Sequence, residues 1–122
     1  MSISFEPKSI QFSIKNAHAL ALCSNLAYES DKTIQDKLSQ HGFQSRFIER
    51  RDTQAFIAYN NLAIVLSFRG TTNIQDWMTN SDLLLTSVRS GTGKVHGGFL
   101  RALCVVWDDI LQIILHAFKN SV

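Results

Sequence analysis

The residues with the most to offer chemically are Phe68-Arg69-Gly70-Thr71-Thr72, which close the nearly continuous apolar run Leu62-Ala63-Ile64-Val65-Leu66-Ser67-Phe68. A buried strand that ends in Gly-Thr turns backbone N–H groups and a hydroxyl toward the carboxyl edge of a sheet, where α/β proteins hold their ligands. Donors placed there can stabilise a developing oxyanion. The same residues also suit a plainer role, Gly70 permitting a tight turn and Thr71 capping the next segment. Arg69 leaves a buried strand, so its guanidinium needs a carboxylate or carbonyl partner, and Asp82 is the first candidate. That makes Arg69 structural.

A nucleophile is harder to find. Ser67, Ser81, Ser87 and Ser90, with Asp76, Asp82 and His96, supply the residue types of a triad. None of these serines sits on a strand-to-helix elbow that would expose its hydroxyl to a base, and no Gly-x-Ser-x-Gly occurs in the chain. Gly91-Thr92-Gly93-Lys94 has the end of a phosphate loop but not its start: Val88 stands where the first glycine belongs, and Val95 replaces the Ser or Thr. No Cys/His spacing approaches a zinc site, so neither a metal nor a cofactor is expected. Ile74, Trp77 and Met78 recur at spacings of three and four, which would place them on one side of a short helix, with Asp76 opposite.

The elements that must position these groups follow from periodicity. Apolar residues from Asn16 to Tyr28 recur at helical spacing, with Asn16 as the expected cap. A second short helix is expected after Thr33, where Thr33 and Asp36 have capping-box spacing, Ile34 and Leu38 form an apolar edge, and Gly42 offers a left-handed stop. Phe43 to Glu49 and Gln54 to Tyr59 read as two strands joined across Arg50, Arg51 and Asp52. After the turn pair Asn60-Asn61, the run to Phe68 is expected to be a strand buried on both faces. Leu83 to Leu85 reads as a brief strand, and Ser90 to Gly93 as a turn. Phe99 to Lys119 has only a narrow polar stripe of Arg101, Asp108, Gln112, His116 and Lys119, so a mostly buried helix is expected.

Composition bounds the possibilities. The 122 residues are 45% hydrophobic and 18% charged, enough apolar surface for one folded domain. Residues 1–15 read as an N-terminal arm. With a net charge of only +2 and scattered Lys and Arg, no basic face exists to track nucleic-acid phosphates. Cys23 and Cys104 lie in apolar, helix-like surroundings and are expected to be buried free thiols. Met1 to Gln11 lacks the apolar core and cleavage site of a secretory signal, and the apolar run Leu103 to Trp107 is too short to span a bilayer. The expected localisation is cytoplasmic, or export without a conventional signal peptide.

Four short motifs, in this order and spacing, resemble the class 3 (fungal-type) triacylglycerol lipases: Ser24-Asn25-Leu26-Ala27-Tyr28, Phe68-Arg69-Gly70-Thr71, Asp76-Trp77, and Lys94-Val95-His96-Gly97-Gly98-Phe99-Leu100. The resemblance is best from Asn61 onward and weakest before Asn16. His96-Gly97-Gly98-Phe99 is also similar to the His-Gly-Gly motif of another esterase group, but the upstream motif fits class 3 better. The resemblance implies an α/β-hydrolase fold, of which residues 1–122 would supply the N-terminal helices, early strands and crossover helix, stopping before the nucleophile strand. It implies carboxylic ester hydrolysis of acylglycerol-type lipids by a Ser-Asp-His triad.

Carried onto this sequence, the resemblance makes Thr71 the first oxyanion-hole donor. It makes Ile74, Trp77 and Met78 the substrate-facing side of a lid. Arg69, Gly70, Asp82, His96, Gly98 and Phe99 become motif residues, with His96 a packing histidine and not the catalytic base. The second donor and all three triad members are not in the chain, which alone is therefore expected to be inactive. The alternative expectation is a non-catalytic lipid- or protein-binding module derived from a lipase. Expected partners are a lipid or ester substrate of the parent enzyme, a complementary C-terminal lipase chain, or a second copy paired along an exposed strand edge.

Overall fold

The computed structural model describes residues 2–70, 85–87, 91 and 93–120. Two helices, α1 (Ile14–Leu26) and α2 (Asp31–Gln40), lead into three strands, β1 (Gln44–Arg50), β2 (Thr53–Tyr59) and β3 (Ile64–Phe68). A two-stranded ribbon of β4 (Leu85–Ser87) and β5 (Lys94–His96) then feeds the long helix α3 (Gly97–Asn120).

The first helix starts earlier than the apolar spacing predicts, because Ser13 is its cap. The Ser13 hydroxyl accepts from the Asn16 N–H at 3.2 Å, while the Asn16 side chain instead holds the arm, accepting from Glu6 N at 2.7 Å. The second helix likewise begins before Thr33: Ser30 is the cap, accepting from Thr33 N at 3.2 Å, and Thr33 is the residue capped. Gly42, at φ +80°, supplies the left-handed stop that the sequence indicates.

The strands form an antiparallel meander in the order β1-β2-β3. Arg50 pairs with Thr53, leaving Arg51 and Asp52 as the turn, and Arg51 takes the left-handed region at φ 52°. Between β2 and β3, Asn60 Oδ1 accepts from Leu62 N at 2.8 Å and Ala63 N at 3.0 Å, so one side chain closes the turn.

Strand alternation divides the core into two layers. On one face Phe56, Ala58 and Val65 pack with Phe47 beneath Ala19, Cys23, Leu26, Ile34 and Leu38 of α1 and α2. On the other, Ile48, Ile57 and Tyr59 pack against Val106, Ile110 and Ala117 of α3. Arg50 ties β1 to α3 by a two-pronged ion pair, Nε to Asp109 Oδ2 at 2.6 Å and Nη2 to Oδ1 at 3.2 Å. The hydrogen bond from Arg50 holds the Asp109 carboxyl below its ordinary pKa, outweighing the cost of desolvation.

Three expectations of burial are overturned. β3 is not buried on both faces: Val65 and Ser67 are buried, while Ile64, Leu66 and Phe68 are exposed. α3 is not mostly buried either, since Phe99, Trp107, Leu111, Leu115 and Phe118 are exposed. α3 packs on β1 and β2, so β3 is only partly covered on that face and the side of α3 turned away from the sheet is open. Cys104, on the outer side of α3, is exposed for that reason, whereas Cys23 is buried, which pushes its thiol pKa up. Both thiols are free.

Candidate functional site

The carboxyl end of β3 is where the structure builds most around the motif residues. Beyond the last ladder pair, Arg69 N donates to Gln54 O at 2.8 Å, so the backbone stays registered on β2 after the strand has ended. The Arg69 guanidinium reaches back across the sheet edge and donates to three oxygens. Nε bonds Ala27 O at 2.6 Å, Nη2 bonds Glu29 O at 2.7 Å, and Nη1 bonds Gln54 Oε1 at 2.6 Å. One acceptor, Ala27 O, belongs to the C-cap of α1, a carbonyl that the helix itself leaves unsatisfied at its negative dipole end, and Glu29 O lies in the turn that follows. A planar fork with several fixed donors suits this task, and a single ammonium does not.

Gly70 comes next, and its absent side chain is used. A Cβ built there would lie 2.5 Å from the Tyr28 hydroxyl oxygen, inside contact distance. Two motifs far apart in sequence, Ser24 to Tyr28 and Phe68 to Thr71, are thus packed on each other: Ala27 offers its carbonyl to Arg69, and Tyr28 lies over Gly70. The Ser67 hydroxyl adds a third link, donating to Cys23 O at 3.1 Å in the buried layer. Gln54 and Glu29 as partners of Arg69 were not apparent in the sequence, because pairing a guanidinium with a neutral amide side chain or a backbone carbonyl leaves no charge pattern to detect. Thr71, Ile74, Trp77, Met78 and Asp82 lie outside the described residues, so the oxyanion donor, the lid stripe and the Arg69–Asp82 pairing remain expectations.

His96 sits where β5 meets α3. Its Nδ1 accepts from Phe99 N at 3.3 Å, the position a capping side chain takes at a helix start. Its ring lies 4.5 Å from that of Phe99. Both observations agree with a histidine that packs and caps. Among the described residues no group of three or more His, Cys, Asp or Glu could hold a metal ion, and no helix is long and apolar enough to cross a membrane.

The layered arrangement, with a carboxyl-end turn anchored to the first helix, is that of an α/β-hydrolase-like fold. Solved lipases share it. The chain is similar to a triacylglycerol lipase in which a serine protease triad forms the catalytic centre, with a TM-score of 0.65 and 21% identity over 90% of this chain and 47% of that one. It is similar also to the Rhizomucor miehei triacylglyceride lipase, with a TM-score of 0.65 and 20% identity over 90% of this chain and 47% of that chain. A Rhizomucor miehei lipase propeptide complex matches at a TM-score of 0.61 and 22% identity, covering 90% of this chain and 40% of that one. The chain therefore spans about half the length or less of the solved lipases it matches. No curated protein matches it. The family described as Lipase (class 3) matches residues 65–121, from within β3 through α3, a little under half of the chain. Over that stretch the chain is similar in sequence to the class 3 lipase family, and over most of its length it is similar in fold to solved triacylglycerol lipases.

Proposed function

We propose that this chain supplies the oxyanion side of a class 3 lipase acting on acylglycerol-type esters. Thr71 is the first oxyanion donor, through its backbone N–H and hydroxyl, and Ile74, Trp77 and Met78 form the lid face toward lipid. The observation that carries this reading is the Arg69 clasp. Three short hydrogen bonds and the contact of Gly70 with Tyr28 fix the backbone immediately before Thr71 to α1 and β2. A donor is useful to catalysis only if it is held in place before charge develops, because reorienting it during reaction would cost what the bond gains.

The nucleophile, the acid that orients the base, the base itself and the second donor must come from sequence other than these 122 residues. The chain alone is expected to show no serine-dependent hydrolysis of short-chain or acylglycerol esters; turnover abolished by a serine-directed phosphonate would overturn that. Joined to the nucleophile-bearing half of a related class 3 lipase, it is expected to restore hydrolysis. In that fusion Thr71→Val should lower turnover on the order of 10²–10³-fold, the usual effect of losing one oxyanion donor. A Thr71→Val fusion with near-full turnover would remove the Thr71 hydroxyl from the role.

A further inference from the structure

Arg69 is the third member of a polar row that runs across the sheet. The ladder sets Glu49 opposite Gln54, and Arg69, following Phe68, stands on the other side of Gln54, where its N–H donates to Gln54 O at 2.8 Å. Alternation puts all three side chains on the face that α1 and α2 cover, one row beyond Phe47, Phe56 and Ser67. The side chains join in the same order. Gln54 Nε2 donates to Glu49 Oε1 at 3.3 Å, and Gln54 Oε1 accepts from Arg69 Nη1 at 2.6 Å.

Charge decides which way the amide lies. Its oxygen meets the guanidinium and its NH2 meets the carboxylate; turned over, it would oppose donor to donor and oxygen to oxygen, so one orientation satisfies both neighbours. Gln54 is thus oriented from both ends by opposite charges, and it holds Arg69 by main chain and side chain at once. The other two acceptors of the guanidinium, Ala27 O and Glu29 O, are carbonyls that any residue would present. Among the described residues, Gln54 Oε1 is the one acceptor of the clasp that depends on residue type.

We propose that Gln54 is a positioning residue for the turn that leads into Thr71, setting the rotamer of Arg69 and through it the backbone of Arg69 and Gly70. The role rests on the oxyanion reading of Thr71 and adds to it the side chain by which the sequence tightens or loosens that turn. Such an anchor acts at a distance from the reacting atoms, where a misplacement of about 1 Å costs as much as 10²-fold in rate. The loss falls on kcat and not on KM, because the charge that the donor meets develops only in the transition state.

The chain itself gives the first test. Its Arg69 Nη protons should give separate, slowly exchanging NMR signals, since a guanidinium held at three points does not rotate freely. Gln54→Met keeps the length of the side chain and removes both of its bonds. It should speed exchange of the Arg69 amide about 10-fold relative to that of Ile57 in the central strand, the loosening that follows loss of one hydrogen bond to a charged group. A merely stabilising role would raise both rates together. Gln54→Glu should also loosen the turn, because its carboxylate meets that of Glu49, and adding Glu49→Gln should restore it by exchanging the two groups. In the fusion with the nucleophile-bearing half, Gln54→Met should lower kcat about 10-fold at unchanged KM, and the exchanged pair should recover it. Averaged Nη signals, an exchange ratio unmoved by Gln54→Met, an exchanged pair no better than Gln54→Glu, or an active fusion indifferent to Gln54→Met would each overturn the proposal. If Gln54→Met does not fold, the exchanged pair and the Nη signals of the unaltered chain still decide. An inactive fusion counts against the oxyanion reading alone, and the exchange ratios then settle the place of Gln54.

Discussion

Removing the Arg69 fork tests whether the clasp at the end of β3 holds the fold together. Of its three side-chain bonds, those to Ala27 O and Gln54 are partly buried and the one to Glu29 O is exposed, so water replaces the last at little loss. Hydrogen bonds to a charged group contribute about 1.5–3 kcal/mol each, and the space left by a truncated side chain admits some water. Arg69→Ala should therefore destabilise by about 2–4 kcal/mol, a large part of the ~5–15 kcal/mol available to a domain. Arg69→Lys can satisfy one acceptor at a time and should lose about half as much. Urea unfolding followed by tryptophan fluorescence, at a fixed protein concentration, gives both values. A shift below about 0.5 kcal/mol for Arg69→Ala would mean that the three short bonds only replace equally good bonds to water.

Other positions give independent checks. Gly70→Ala should cost about 1 kcal/mol, at the low end for overpacking because the half-exposed Tyr28 ring can yield. Tyr28→Phe in the same background should return most of it, and additive effects in the double-mutant cycle would contradict the contact. Because the folded-state pKa of Asp109 is depressed by Arg50, the stability this pair contributes is complete above the ordinary carboxylate range and lost as pH falls through the depressed value. Asp109→Asn should remove that part of the acid dependence measured by denaturant midpoint against pH, and an unchanged profile would show that the pair contributes nothing. Ser13→Ala should lower stability by about 1 kcal/mol through loss of the α1 cap, and Asn16→Asp, which keeps the acceptor for Glu6 N but loses the donor to Glu6 O, should loosen the arm without removing the cap.

The strands were legible in the sequence because two signals agreed: branched and aromatic residues from Phe43 to Tyr59, and turn chemistry at Arg51-Asp52 and Asn60-Asn61. Helix starts were misread by a few residues, since Ser13 and Asn16, or Ser30 and Thr33, are equally plausible caps until the chain entering the helix is placed. The burial of β3 and α3 could not be read at all. An apolar run states what a segment can bury, and only the packing shows which neighbour buries it; in Ile64–Phe68 just the inward pair Val65 and Ser67 is covered. At the candidate site, the Phe-Arg-Gly-Thr motif was visible as a pattern, but its link to Ala27 and Tyr28 passes through a backbone carbonyl and an empty Cβ position. Neither leaves a mark in residue type.

The meander also bears on the order in which the chain folds. β1 and β2 meet across a two-residue turn and β3 follows across Asn60, so the sheet forms from contacts close in sequence, each closing a short loop. The bonds that seat α1 on that sheet, Ser67 to Cys23 and Arg69 to Ala27, join residues 44 and 42 positions apart. Loop closure over such distances is slower and is rewarded only once the strands exist to receive the helix. The hairpins should accordingly be structured in the folding transition state and α1 should dock after it, so that mutations at Arg69 or Ser67 mainly speed unfolding while those in the β1–β2 turn slow folding.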